Sequence, residues 1–176
     1  MKRIVLLVVL FLCLPLKVKA KVRMDVIRNG GFTELSTEDM QDTCQALADK
    51  IAKDCKVKPQ TISCYDWPES PILAYNTLWG CNIICVNLSG FRTTEDADLA
   101  GETVEYHLVK TLAHEVRHSY QWEHRLDDTE YGRSCLQGFN SYQNYDGDKA
   151  SYYAQFTEND AEQWAIEYAN KYKVKK

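Results

Sequence analysis

His114-Glu115-Val116-Arg117-His118 is the stretch on which the reading of this chain turns. Residues four apart lie on one face of a helix, so His114 and His118 can offer two imidazoles to a common point, with Glu115 beside it. That arrangement predicts a hydrolytic zinc site. A catalytic zinc takes three protein ligands and keeps an open position for water, whose pKa it lowers to roughly 7. Glu115 is then the general base that takes the proton as the water attacks a carbonyl, and peptide-bond hydrolysis is the reaction class expected. The flanks agree with a helix. No Gly or Pro occurs between Glu102 and Arg125, and Val104, Leu108, Thr111, Leu112 and Ala113 form an apolar stripe.

A third ligand must come from elsewhere. His124 lies ten positions after His114, the offset of the third His in the extended metzincin signature. However, Gln121 stands where that signature turns at a Gly, and the last Met of the chain is Met40, so the downstream Met turn is missing. The better candidates open the segment Phe156-Thr157-Glu158-Asn159-Asp160-Ala161-Glu162. Thr157 and Asp160 read as an approximate capping box, with Ala161, Trp164, Ala165 and Tyr168 as the buried stripe of a C-terminal helix. Glu158 falls in the first turn and Glu162 one turn further on the same face. One carboxylate can bind the metal while the other accepts the outer N–H of a ligand histidine.

With HEVRHSYQ at 114–121 and ENDA at 158–161, the chain resembles small gluzincin-type zinc metallopeptidases. The likeness is strongest to compact bacterial and phage metallopeptidase domains with a HExRH-x-x-Q helix and an E-x-D-A helix. It extends to proteases of phage-repressor regulation, which share an aromatic-Ala step like Trp164-Ala165. The resemblance covers about Trp79 to Tyr172. It implies an α+β, zincin-like domain in which a short antiparallel or mixed sheet packs on the HExxH helix and the C-terminal helix carries the third ligand. By it, His114, His118 and Glu158 are the zinc ligands, Glu115 is the base, and Arg117 pairs with Asp160 or Glu162 to tie the two helices. The forty positions from His118 to Glu158 exceed the gap in the best-known gluzincins, which keeps Glu162 as a rival.

Residues 1–20 read as a secretory signal peptide: Lys2-Arg3, an apolar run from Ile4 to Leu16, and Val18-Lys19-Ala20 as a cleavage site. The run is shorter than the roughly 18 residues that span a bilayer, so no stable membrane insertion is expected after cleavage. Residues 21–176 then form a single exported domain, secreted, periplasmic or held at the cell surface. Removal of Lys2, Arg3, Lys17 and Lys19 takes the formal charge from -4 to -8, which argues against nucleic acid as a partner and leaves a peptide or protein substrate. Six cysteines remain in this exported part: Cys44, Cys55, Cys64, Cys81, Cys85 and Cys135. An even count in an oxidising compartment predicts up to three disulfides. Cys44 with Cys55 in one helix, and Cys81 with Cys85 in one strand, are too far apart to pair, so bridges should join separate elements.

Along the rest of the chain, Lys21–Gly31 reads as a strand before a Gly30-Gly31 turn, and Ser36 opens a helix that ends before Pro59. Ile72–Trp79 and Asn82–Leu88 read as a hairpin around Gly80. The resemblance places a sheet edge above the active helix, where a peptide could add as a strand. Asn87-Leu88-Ser89 matches a glycosylation sequon, against which its strand position argues. Leu126–Tyr153, with Gly132, Gly138 and Gly147, reads as a long loop over the cleft, with Tyr152 or Tyr153 a candidate oxyanion donor. A second reading is an exported binding or effector protein with a structural or vestigial zinc, which a fourth protein ligand such as His124 would mark.

Overall fold

The computed structural model describes residues 24–70, 72–77, 81–93, 102–144 and 147–172. Residues 1–20, expected as a signal peptide, and residues 78–80, expected in the hairpin, lie outside them. The architecture is α+β: helices surround a small three-stranded mixed sheet.

The first described element is a helix, α1, at residues 24–29, where alternation of Val22, Met24 and Val26 predicted a strand. Met24 and Ile27 are three apart, and Ile27 is buried while Met24 packs against the core, so the helical spacing prevails over the alternating one. The turn itself is as expected: Gly30 and Gly31 both adopt positive φ, 87° and 99°, which a glycine takes without a Cβ penalty. A single 3-10 turn, Phe32–Glu34, follows. The Phe32 ring packs edge-on against Phe91, and its N–H donates to Glu105 Oε1 at 2.9 Å.

Helix α2, Thr37–Cys55, starts at Ser36, whose hydroxyl accepts from the Asp39 N–H, and ends at Lys56 in the left-handed region. Met40, Cys44, Leu47, Ala48, Ile51 and Ala52 recur at helical spacing and are buried. Strand β1, Thr61–Tyr65, pairs in parallel with the central strand β3, Ile83–Asn87. Strand β2, Ala74–Asn76, pairs with β3 antiparallel, so the order is β1-β3-β2. The β2–β3 hairpin was legible in the sequence, though both strands are shorter than expected. β1 was not anticipated. Asn87 is fully buried, with Nδ2 donating to Trp67 O and Ile72 O and Oδ1 accepting from Trp67 N. Its amide is committed to holding the 66–73 loop, which leaves the sequon no accessible acceptor.

A short helix, α3, Leu88–Thr93, precedes the HExxH helix α4, Val104–His124, which Thr103 caps by accepting from the Tyr106 N–H. Leu108, Val109, Leu112, Ala113 and Val116 bury into the core against α2, whereas Thr111 leaves the expected stripe and faces a cleft. The segment expected as a long loop holds two helices, α5, Glu130–Asn140, and α6, Lys149–Ala154. Gly132 and Gly138 misled the reading because they serve close packing and not a turn. A Cβ on Gly132 would sit 2.8 Å from His124 O, and one on Gly138 would sit 2.8 Å from Thr157 Cγ2. Helix α7, Phe156–Ala169, begins at Gln155, two residues before the expected cap, so Thr157 lies inside the first turn and is buried. Ala161, Ala165 and Ala169 line its buried face, and their small side chains let α7 pack closely along α4. Among the described residues, no helix is long and apolar enough to cross a membrane.

Candidate metal centre

α4 and α7 meet where His114, His118 and Glu158 converge. The two imidazoles are one helical turn apart, with ring centroids 4.8 Å apart and planes at 85°. Their Nε2 atoms approach to 3.1 Å, His114 Nε2 lies 3.2 Å from Glu158 Oε2, and His118 Nε2 lies 3.4 Å from Glu158 Oε1. Ligand atoms around a tetrahedral zinc, at about 2.0–2.1 Å from the metal, are separated from each other by about 3.3 Å. With one donor atom taken from each, the three groups lie within 4.8 Å of one another, so a small closing of the cluster brings them to the spacing such an ion requires. Glu158 is fully buried, and its Oε1 has no hydrogen-bond partner among the described residues. A buried carboxylate oxygen left in that state is costly unless a cation or donor completes it, so the donor set fits a divalent metal.

The outer ring nitrogens have partners of their own. His118 Nδ1 lies 2.9 Å from Gln121 Oε1. The Gln121 amide is oriented by its other end, where Nε2 donates to Thr157 O and to Asp160 Oδ2, both at 2.8 Å. An amide oxygen only accepts, so His118 carries its proton on Nδ1 and presents the Nε2 lone pair to the cluster. His114 Nδ1 lies 3.4 Å from Glu162 Oε2, and Glu162 Oε1 accepts from Lys110 Nζ at 2.8 Å. Of the two rival carboxylates, Glu158 thus faces the inner nitrogens and Glu162 the outer one.

These contacts shape the protonation of the site. Burial works against charge on His114, yet the hydrogen bonds that its ring donates to Glu158 and Glu162, with the charge of Glu115, bring it to about 10. Burial also opposes ionisation of Glu162, and hydrogen bonds to His114 and Lys110 overcome it, holding the carboxyl at about 2. Glu158 is likewise kept below the ordinary carboxylate range against burial, chiefly by the hydrogen bond that it accepts from His114.

Arg117 ties the two helices, as the resemblance implied, and its partner is Asp160. Nε and an Nη donate to the two carboxylate oxygens at 2.9 and 3.0 Å, and the guanidinium lies 4.4 Å from the Tyr120 ring centre. His124 is not part of the cluster. Its Nδ1 lies 2.6 Å from Asp127 Oδ2, and its ring packs against Tyr120.

The centre opens into a cleft of about 750 Å³ bounded by β2, α4, α7 and residues of the segments 139–144 and 149–153, and Glu115 lines it. Tyr152 and Tyr153 reach this cleft, together with Tyr142, whose hydroxyl lies 2.9 Å from that of Tyr152. Burial pushes the Tyr142 phenol up to about 12 and raises Tyr152 as well, so both stay protonated as donors. Sequence reasoning assigned no role to Gln121, Lys110 or Tyr142. The first two had a signal, since Gln121 is three residues after His118 and Lys110 four before His114, each on a shared helical face. Tyr142 had none, because its place depends on how α5 and α6 fold back.

Comparison of the chain with protein-family models, with curated proteins and with solved structures finds no match.

Proposed function

We propose that this chain is a zinc-dependent metallopeptidase of the gluzincin type, with a zincin-like domain, exported by its N-terminal segment. His114 Nε2, His118 Nε2 and Glu158 would hold the zinc, and Glu115 would be the general base. The observation that carries the reading is the convergence of two imidazole nitrogens and one buried carboxylate, one donor atom from each lying within 4.8 Å of the others, beside an open cleft. Zinc held there would supply a bound water of pKa roughly 7 and a Lewis acid for a carbonyl. Glu115 takes the proton on a carboxylate oxygen and passes it to the leaving amine. Of the Tyr142–Tyr152 hydroxyl pair, the one O–H not spent on the other phenol would be the donor toward the oxygen that gains charge.

Backbone register explains how a peptide would lie. The Asn87 N–H donates to Leu73 O and the Thr77 N–H to Ile83 O, so in this antiparallel pair Leu73, Tyr75 and Thr77 turn their hydrogen-bonding groups toward β3. Ala74 and Asn76 turn theirs the other way, toward the edge that lines the cleft. An extended substrate would pair with those two residues. The Asn76 side chain holds that edge in place, donating from Nδ2 to Glu115 O at 2.8 Å and to Ser119 Oγ at 2.9 Å.

A closed structural zinc, as in a binding or effector protein, would need a fourth protein ligand. Among the described residues the cluster comprises three ligand groups, with His124 paired to Asp127, and this favours hydrolysis. The test is Glu115→Gln assayed on an unstructured protein or a peptide library. The variant is expected to bind zinc as the wild type does and to lose hydrolysis, and hydrolysis at the wild-type rate overturns the mechanism.

A further inference from the structure

Helix α2 and strand β1 are clamped together by one side chain. Gln45 Nε2 donates to Gln60 O at 2.8 Å, and its Oε1 accepts from the Ile62 N–H at 2.9 Å. That clamp sets which residues of the two elements face each other. Ile62 and Cys64 are two apart on β1 and so share a face; Ile62 is buried and Cys64 packs against the core. Cys44, adjacent to Gln45 in α2, is fully buried, and its thiol and that of Cys64, both free, are near enough to act on each other electrostatically. Other cysteines sit against different groups: Cys55 against the Arg117 guanidinium, Cys135 against the Tyr131 phenol and Cys85 against the Tyr75 phenol.

We propose that Cys44 and Cys64 form a disulfide in the exported protein, stapling α2 to β1. Sequence alone left their pairing open among many. The clamp by Gln45 and the shared inward face of β1 set Cys44 and Cys64 on the two sides of one α2–β1 contact. The proposal rests on the export reading only for the source of oxidant, a disulfide donor such as oxidised glutathione or an oxidised dithiol oxidoreductase. The half-buried Cys64 is the accessible partner. Its thiolate attacks one donor sulfur, forming a mixed disulfide and releasing the donor's other sulfur as a thiolate. Cys44 then loses its proton and attacks the Cys64 sulfur, expelling the second donor thiolate. One S–S bond is broken and one formed, two protons are released, and two electrons pass to the donor. Because Cys44 lies in the core, closure belongs to folding, before α2 and β1 seat fully.

The bridge closes a loop of about twenty residues, for which the chain-entropy effect corresponds to a rise in Tm of about 5–12 °C. Neither α2 nor β1 contributes a residue to the cleft, so zinc binding is expected to be unchanged by it.

The test is the purified chain refolded with oxidised glutathione, alkylated, digested without reductant and analysed by mass spectrometry. The expected product joins the Cys44 and Cys64 peptides with the loss of two hydrogens, and a phosphine reductant lowers the Tm of wild type but not of Cys64→Ala. Alkylation of both residues in the folded oxidised protein, or linkage of either to a different cysteine, overturns the proposal. Hydrolysis measured on the same sample keeps the two readings apart. An active protein with both thiols alkylated refutes only the bridge, and a bridged protein without hydrolysis refutes only the peptidase.

Discussion

Replacing Arg117 with Met tests how α4 and α7 are held together. The substitution keeps an unbranched stem of similar length and removes two charge-assisted hydrogen bonds to Asp160, at 2.9 and 3.0 Å, with the stacking on Tyr120. Breaking a fully buried ion pair from one side costs about 3–5 kcal/mol, mostly because the remaining charge is stranded. Here the side chains retain 14% and 22% exposure, and Asp160 keeps Gln121 Nε2 and the Tyr131 hydroxyl as donors at 2.8 and 2.9 Å. The stranded carboxylate is thus partly compensated, and the expected cost is about 2–3 kcal/mol. For a domain of this size that lowers Tm by about 5–10 °C in calorimetry. A pH series sharpens the test. Burial raises the Asp160 pKa, but the bonds from Arg117 and Gln121 outweigh it and hold the carboxyl below its ordinary value. With the folded value depressed, the contribution is fully present above the unfolded value of about 3.9 and is lost as pH falls through the folded one. The gap between wild type and variant should stay constant near neutrality and shrink in strong acid. A Tm within about 2 °C of wild type at neutral pH, or a gap that widens in acid, would refute this account of the interface.

Three further outcomes bear on the centre and its frame. Glu158→Ala is expected to lose stoichiometric zinc by metal analysis while Glu162→Ala keeps it, since only Glu158 faces the inner nitrogens; the reverse pattern would exchange their roles. Gln121→Leu removes the acceptor that orients His118 and should weaken zinc affinity about 10–100-fold in a chelator competition, with an unchanged far-ultraviolet spectrum. Gly132→Ala drives a Cβ onto the His124 and Asp127 carbonyls and should destabilise the protein by about 1–3 kcal/mol in urea unfolding, whereas a neutral result would mean that α5 does not pack as described.

The local chemistry of this chain was readable in one dimension because it is periodic. Two histidines four apart, an uninterrupted helical stretch around them and an acidic turn opening a later apolar stripe lie within single elements, where spacing alone decides which side chains share a face. The same logic exposed the α2 core stripe and the β2–β3 hairpin, and it failed where tertiary packing gives a residue another use. Gly132 and Gly138 read as loop because glycine marks turns, but Gly132 admits the carbonyls of the α4–α5 connection, and Gly138 admits α7, to closer approach than a Cβ allows. β1 carries only Ile62 and Cys64 on its inward face, too short a pattern to stand out, and it exists because β3 offers a parallel edge and Gln45 a clamp. Likewise, periodicity put Glu158 and Glu162 on one helical face and could go no further. Only the rotation of α7 against α4, set by alanine packing and the Arg117–Asp160 pair, directs Glu158 to the inner nitrogens and Glu162 to the outer one, because the choice is a matter of a few ångströms between side chains on two helices far apart in the chain.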